Sequence, residues 1–307
     1  MVKTDSIETS LLRPFYTLDV RGLTTPIGFN ILSFSSIIVL VVLGLGVIAS
    51  MMRIFNFAHG EFMLLGGYTT YLFYIWNMPI WLGILVAPFV VAFVGLILER
   101  TIIHRFYAAP IVAMLGTYAI GVMIRESVRG LIGGLYHQVP EPLVGFFVIG
   151  DISVSKWRAV VILVTILVVS GSYYLLKKTS FGLRIRAALE NPELARVSGI
   201  STSQIYAATF SFGAGLAGLA GAMMVPLFTL YADMGVRFLI QGFLAVMLGG
   251  IGSFEGPVLG GAIIGVLTAG LPHLVNPVLA DVLVFVIAII AVKLKPAGLL
   301  SMRRELK

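Results

Sequence analysis

The chain of 307 residues is 59% hydrophobic, only 11% charged and free of cysteine, with a mean hydropathy of +1.03. An ordinary soluble domain is about 25% charged, so this composition would coat a soluble fold in apolar surface and instead predicts a polytopic membrane protein. Without cysteine there are no disulfides or thiolate sites, and the formal charge of +7 is informative through its distribution across a bilayer rather than as a sign of nucleic-acid binding.

Residues 1–27 mix Lys3, Asp5, Glu8, Arg13, Asp19 and Arg21 with proline and aromatic residues. No basic run leads directly into a short apolar core and a cleavage site, so the stretch reads as a retained tail lying partly along the interface. Apolar runs suited to membrane helices then fall near 30–50, 57–75, 80–98, 109–128, 158–176, 205–229, 238–251, 256–271 and 279–294. They predict an all-α, polytopic transmembrane domain over 28–300, with about eight or nine spans and a short tail at 301–307.

The second run opens inside Asn56-Phe57-Ala58-His59-Gly60-Glu61. A carboxylate at membrane depth is costly unless it reaches water or a partner. Asn56, His59 and Glu61 are therefore candidates for lining a translocation path or inner gate. The competing reading is a polar cluster that caps the helix, with Glu61 in its first turn. The runs 238–251 and 256–271 are short and broken by Gly249, Gly250, Gly252 and Pro257, which suits broken or re-entrant helices as well as ordinary spans joined by tight turns. Gly249, Gly250 and Gly252 are candidates for a hinge along the path.

Arg125, Glu126 and Arg129 end the fourth run. They either snorkel to the outer interface or form a positive site at the outer mouth. The longest external connection, 132–157, contains Pro140, Pro142, Gly145, Gly150 and Asp151. It is a plain loop or the docking place of an extracytoplasmic partner.

The stretch 177–203, KKTSFGLRIRAALENPELARVSGISTS, is the one long polar and basic insertion. Gly182 reads as a flexible break, Leu183–Glu190 as short basic helical turns, Asn191-Pro192-Glu193 as a capped helix start, and Gly199 as its stop. Leu194, Ala195, Val197 and Ile200 offer a small apolar surface. Such a helix either anchors the loop at the interface or inserts rigidly into a cleft of a cytoplasmic partner. Further along, Gly213, Ala217 and Gly221 recur four apart, as do Gly261, Gly265 and Ala269. That spacing predicts close helix packing, with the lining of a narrow passage as the alternative. Pro226 suggests a kink near the outer mouth. Basic residues collect at Arg53, Arg100, Arg105, Lys177, Lys178, Arg184, Arg186, Arg196, Lys293, Lys295, Arg303, Arg304 and Lys307, against Arg125, Arg129, Lys156, Arg158 and Arg237 on the other side, an asymmetry that favours a cytoplasmic carboxyl terminus. Nine crossings would put the amino-terminal tail outside and eight would put it inside.

Five ordered blocks carry a resemblance: NFAHGEFMLLGGY at 56–68, TSFGLRIRAALENPELARVSGI at 179–200, FSFGAGLAGLAGAM at 210–223, AVMLGGIGSFEGPVLGG at 245–261 and KPAGLL at 295–300. The chain resembles the branched-chain amino-acid type permeases of ATP-binding-cassette importers, nearer the shorter of the two permease subunits. The resemblance implies a multi-pass protein of the cytoplasmic (inner) membrane with no catalytic residue, bound cofactor or metal of its own. It implies a second permease, either a related paralogue or an identical copy, two cytoplasmic ATPases that use ATP and Mg, and an extracytoplasmic binding protein, with lipid around the spans and no nucleic acid. The ATPase-coupling loop of the family is similar to Arg184–Gly199 here, which assigns that role to Arg184, Ala188, Glu190, Pro192, Ala195 and Gly199. Where other importer families show a Glu-Ala-Ala signature, this chain has Leu189-Glu190-Asn191-Pro192.

The implied cargo is branched-chain or related hydrophobic amino acids. Urea or short amides are the alternative, because Val139–Gly145 is loosely similar to the outer region of the urea type. A stand-alone secondary transporter or channel would need more intramembrane acids than Glu61, Glu99 and Glu126, and it would leave the charged insertion unexplained. A membrane enzyme finds no paired carboxylates or histidine cluster at a common depth. No phosphate-cradling Walker loop occurs in the chain, so energy has to come from a partner.

Overall fold

The computed structural model describes residues 20–52, 55–107, 109–149 and 152–300. It is an all-α polytopic bundle whose helices are α1 (Val20–Met52), α2 (His59–Ile75), α3 (Ile80–Thr101), α4 (Pro110–Ile132), α5 (Lys156–Lys178), α6 (Ser180–Glu190), α7 (Pro192–Val197), α8 (Thr202–Met224), α9 (Met234–Gly249), α10 (Glu255–Gly270) and α11 (Pro277–Leu294). Seven of them are long and apolar enough to cross a membrane. A helix that is apolar all round has no aqueous face to prefer, so position is decided by packing. The apolar windows of α1 and α8 are 83% and 78% buried, against 17% for α11, so α1 and α8 form the centre and α11 the rim.

Close contacts fix the helix directions. Ser50 Oγ donates to the Ser253 carbonyl at 3.2 Å and Ser35 Oγ to the Ala262 carbonyl at 3.0 Å, so α1 and α10 run antiparallel. Ser211 Oγ donates to the Ala92 carbonyl at 2.7 Å, and Gly218 packs on Ala87 and Val91, which sets α8 against α3 in the same sense. Nine helices, α1 to α5 and α8 to α11, alternate in direction in this way among the described residues. The turn at 76–79, the segment 225–233 and the turn at 271–276 gather at one face, and the charged loop 179–201 and residues 295–300 at the other. The amino-terminal end of α1 and residues 295–300 therefore lie on opposite faces of the bundle.

The expected broken helix occurs once, before α2. His59 Nε2 meets the Val41 carbonyl at 2.9 Å, about halfway along α1, so α2 starts at mid-depth. Irregular backbone is tolerated at that depth only if its polar groups are satisfied by protein. Phe57 N–H donates to Thr117 Oγ1 at 3.1 Å and Ala58 N–H to Asn56 Oδ1 at 3.0 Å. The other two short runs are α9 and α10, whole helices joined by a glycine turn.

Several local expectations are corrected. The first helix begins at Val20, inside the stretch assigned to the tail, while residues 1–19 and 301–307 lie outside the described residues. Gly182 is not a flexible break: it is buried within α6, with the Leu176 backbone where a Cβ would be, and the chain turns at extended Thr179 instead. Pro226 follows the end of α8 rather than kinking it. The connection between α4 and α5 also contains a small antiparallel hairpin, β1 (Phe146–Ile149) with β2 (Ile152–Ser155), pairing Phe146 with Ser155 and Ile149 with Ile152. Four-residue strands are too short to show a period in sequence. His137 and Leu230 exchange backbone hydrogen bonds of 2.8 and 2.9 Å, tying this connection to the segment after α8.

Candidate translocation site

Glu61 lies in the first turn of α2 and is only 4% exposed. Arg125 projects toward it from α4, with Nη1 3.8 Å from Glu61 Oε1 and 3.8 Å from Asp233 Oδ1. One turn farther along, Arg129 donates to both oxygens of Glu126 at 2.7 and 2.9 Å and to both oxygens of Asp233 at 2.9 and 2.8 Å. The result is a chain of alternating charges, Glu61, Arg125, Asp233, Arg129 and Glu126, that runs from mid-bundle toward the hairpin face. Arg125 does not simply snorkel to the interface, since its side chain is 15% exposed and shared between two acids.

Beside the inner end of this chain lies a cavity of about 210 Å³, walled by Phe57, Glu61, Tyr118, Val122, Arg125 and four apolar side chains of α9 that include Leu239 and Phe243. Phe57 and Phe243 pack together in its wall, with ring centroids 4.7 Å apart and planes tilted by 31°. Close backbone approach makes the site: Gly60 abuts Gly235 where α2 crosses α9, and Gly121 leaves room for Glu61 Oε2, which would stand 3.0 Å from a Cβ there. That Oε2, Asn56 Nδ2 and His59 Nδ1 are buried without a hydrogen-bond partner among the described residues. Leaving a buried polar group unsatisfied costs about 1–3 kcal/mol, and more when it is charged.

Of Asn56, His59 and Glu61 only Glu61 lines the cavity; His59 faces α1 at Val41 and Gly44, the helix cap position is Ala58, which makes no side-chain cap, and Asn56 braces the broken segment. Gly249, Gly250 and Gly252 lie at the opposite end of α9. Gly249 abuts Gly256, and Gly250, at φ +94°, abuts Ala297 and Gly298. Leu299 and Leu300 N–H donate to the Leu248 and Gly249 carbonyls at 2.9 and 3.2 Å, so the KPAGLL block closes the end of α9. These glycines build a turn and do not line the Glu61 cavity. Gly213 and Gly221 are filled by α1 and α2, at Ile48 and Met63; Ala217 is buried beside Gly44; and Gly261 and Gly265 are filled by α1 at Val42 and Ser35. All five serve packing.

In the charged loop, Asn191 Oδ1 accepts from Leu194 N–H at 2.9 Å with Pro192 at the first helical position. The helix ends in a Schellman motif: Gly199, at φ +81°, bonds to the Arg196 carbonyl at 3.0 Å, and Ile200 to the Ala195 carbonyl at 2.9 Å. Ala188 and Ala195 are buried within the chain, whereas Arg184, Glu190, Pro192 and Gly199 are exposed. Asp233, Thr117 and Phe243 escaped sequence reasoning. An acid flanked by two apolar runs is the one signal that points to Asp233.

The family described as branched-chain amino acid transport system / permease component matches residues 27–292. The chain belongs to this family. It is 26% identical over 290 residues to the high-affinity branched-chain amino acid transport system permease protein LivH of Escherichia coli K12, spanning 89% of this chain and 94% of that one. It is 30% identical over 246 residues to a probable branched-chain amino acid transport permease protein LivH of Methanocaldococcus jannaschii, spanning 76% of each. It is also 30% identical over 234 residues to the galactose/methyl galactoside import permease protein MglC of Escherichia coli K12, spanning 71% of this chain and 67% of that one. The matched span takes in both the Glu61 cluster and the charged loop, so this multi-pass membrane protein is a transport permease component with both features inside the family region.

Proposed function

We propose that this chain is a membrane-spanning subunit of an ATP-driven importer that passes branched-chain or related hydrophobic amino acids from an extracytoplasmic binding protein to the cytoplasm. The observation that carries the reading is the rigid charged loop. Its helix is capped at one end and Schellman-closed at the other, and it presents Leu194 and Val197, 62% and 87% exposed, to solvent. A rigid apolar tip on a basic base suits a cleft on a cytoplasmic ATPase, because a floppy loop would absorb the motion it has to transmit. Lys177, Lys178, Arg184, Arg186, Lys293 and Lys295 collect on this face, which supports its cytoplasmic orientation and that of the carboxyl terminus. ATP and Mg then belong to the two partner ATPases, and this chain binds neither.

A second permease, related or identical, completes the path. The main packing of α4 within the chain is on α2 and on the 3₁₀ turn Ile103–Phe106, and α4 exposes Ile111, Leu115 and Tyr118, the last of which lines the Glu61 cavity. Amino-acid cargo is favoured over urea or short amides by the relatives that match along most of both chains. The galactose relative shows that the scaffold alone does not set the cargo.

The test is uptake by proteoliposomes carrying the permease pair, ATPases and binding protein, offered leucine, urea or galactose. ATP-dependent leucine uptake is expected. Val197→Asp, at an exposed position, should weaken ATPase co-purification about tenfold or more, as loss of an interface anchor does. Leucine uptake without ATPases, or full ATPase retention by Val197→Asp, would overturn the reading.

A further inference from the structure

We infer that the cavity between α2, α4 and α9 binds the zwitterionic head group of the cargo, with Arg125 taking its carboxylate and Glu61 its ammonium. This rests on the amino-acid reading above and adds the site and the chemistry of recognition.

The charges are placed for a guest rather than for each other. Both separations from Arg125 Nη1, to Glu61 and to Asp233, are 3.8 Å, longer than a hydrogen bond. Glu61 Oε2 is buried and has no hydrogen-bond partner among the described residues, although its carboxylate lines the cavity. An α-amino acid carries an ammonium and a carboxylate on one carbon. One molecule lodged beside the pair therefore replaces a loose contact with charge-assisted hydrogen bonds to both residues. Its tail then lies against Val122, Leu239 and Phe243. A volume of about 210 Å³ is below the roughly 300–1,000 Å³ of drug-sized pockets and suits a small amphipathic molecule.

The outer charges define what happens to Arg125 when the guest arrives. Asp233 competes with the incoming carboxylate for Arg125, yet it keeps two hydrogen bonds from Arg129, which Glu126 also holds. Asp233 can thus release Arg125 without becoming unpaired. Urea and galactose carry no charge and would leave both Glu61 and Arg125 desolvated without compensation, which is the physical basis of discrimination.

The chain has no cysteine, so Val122→Cys places its single thiol in the cavity wall. In the reconstituted importer, leucine should slow maleimide labelling of that thiol. Isocaproate and isoamylamine, each lacking one charge, should need about tenfold higher concentration for the same protection. Adding Glu61→Gln or Arg125→Gln should weaken leucine protection by about the same factor, and the double variant should not recover it. Equal protection by the analogues would overturn the proposal, as would recovery in the double variant, which is the signature of a merely structural ion pair. The analogue comparison needs no charge-altered variant, so it stands even if those variants fail to assemble. Leucine uptake without protection would overturn this site and leave the cargo reading intact. Urea uptake without leucine uptake would overturn both.

Discussion

Glycine positions in this bundle divide into those that touch another backbone and those that do not. Gly66 faces Gly218 so closely that a Cβ has no space, whereas Gly171 has nothing within 4 Å of a built Cβ. Gly66→Ala should therefore destabilise the protein by about 1–3 kcal/mol, the usual cost of overpacking, and Gly171→Ala, inside α5 with open space around it, should raise stability by up to about 1 kcal/mol. Thermal unfolding of the purified permease in detergent checks the pair, and equal midpoints would show that the approach of α2 to α8 is not limiting. The small-residue stripe Gly213, Ala217 and Gly221 was legible in sequence because its spacing is local to one helix. Which backbone fills each gap was not, because Gly44 and Met63 belong to other helices. The same holds for Glu61: its type and setting marked it as costly, but its partner Arg125 is set by the crossing of α2 and α4.

At the scale of the element, the charged loop was the part read most accurately. Caps and stops are chemistry of adjacent residues, and Asn191, Pro192 and Gly199 each act where local rules place them. Removing the cap with Asn191→Ala should cost about 1 kcal/mol locally and speed amide exchange over Leu194–Val197 about fivefold. Uptake per ATP hydrolysed should fall while the bundle's unfolding midpoint holds. Unchanged exchange at those amides would mean that the Schellman end alone keeps the helix. Gly182 was misread for a tertiary reason. A glycine beside a span end looks like a hinge in sequence, but here it lets α6 lie against the last turn of α5. The β-hairpin escaped because its strands are four residues long and its pairing is decided by neighbours on the other side of a turn.

For the whole molecule, the alternation of nine helices places the connection after α4 and the charged loop on opposite faces. In a chain without cysteine, Tyr136→Cys and Leu194→Cys each supply one exposed thiol, on the two faces respectively. A membrane-impermeant thiol reagent added to intact cells should label the first and spare the second until the membrane is opened and the ATPases are stripped from it. Labelling in the reverse order would invert the orientation and remove the ATPase from the loop. Hydropathy, caps, small-residue spacing and the five ordered blocks determined by themselves the solvent, the apolar segments, the family and the capped helix at Pro192–Val197, since each is a pattern within a turn or two of chain. Only the tertiary structure decided that α2 begins at mid-depth and that Glu61, Arg125 and Asp233 converge on one cavity. Those residues lie on or beside three different helices, and their meeting depends on glycine contacts between helices, such as Gly60 against Gly235, that no local pattern encodes.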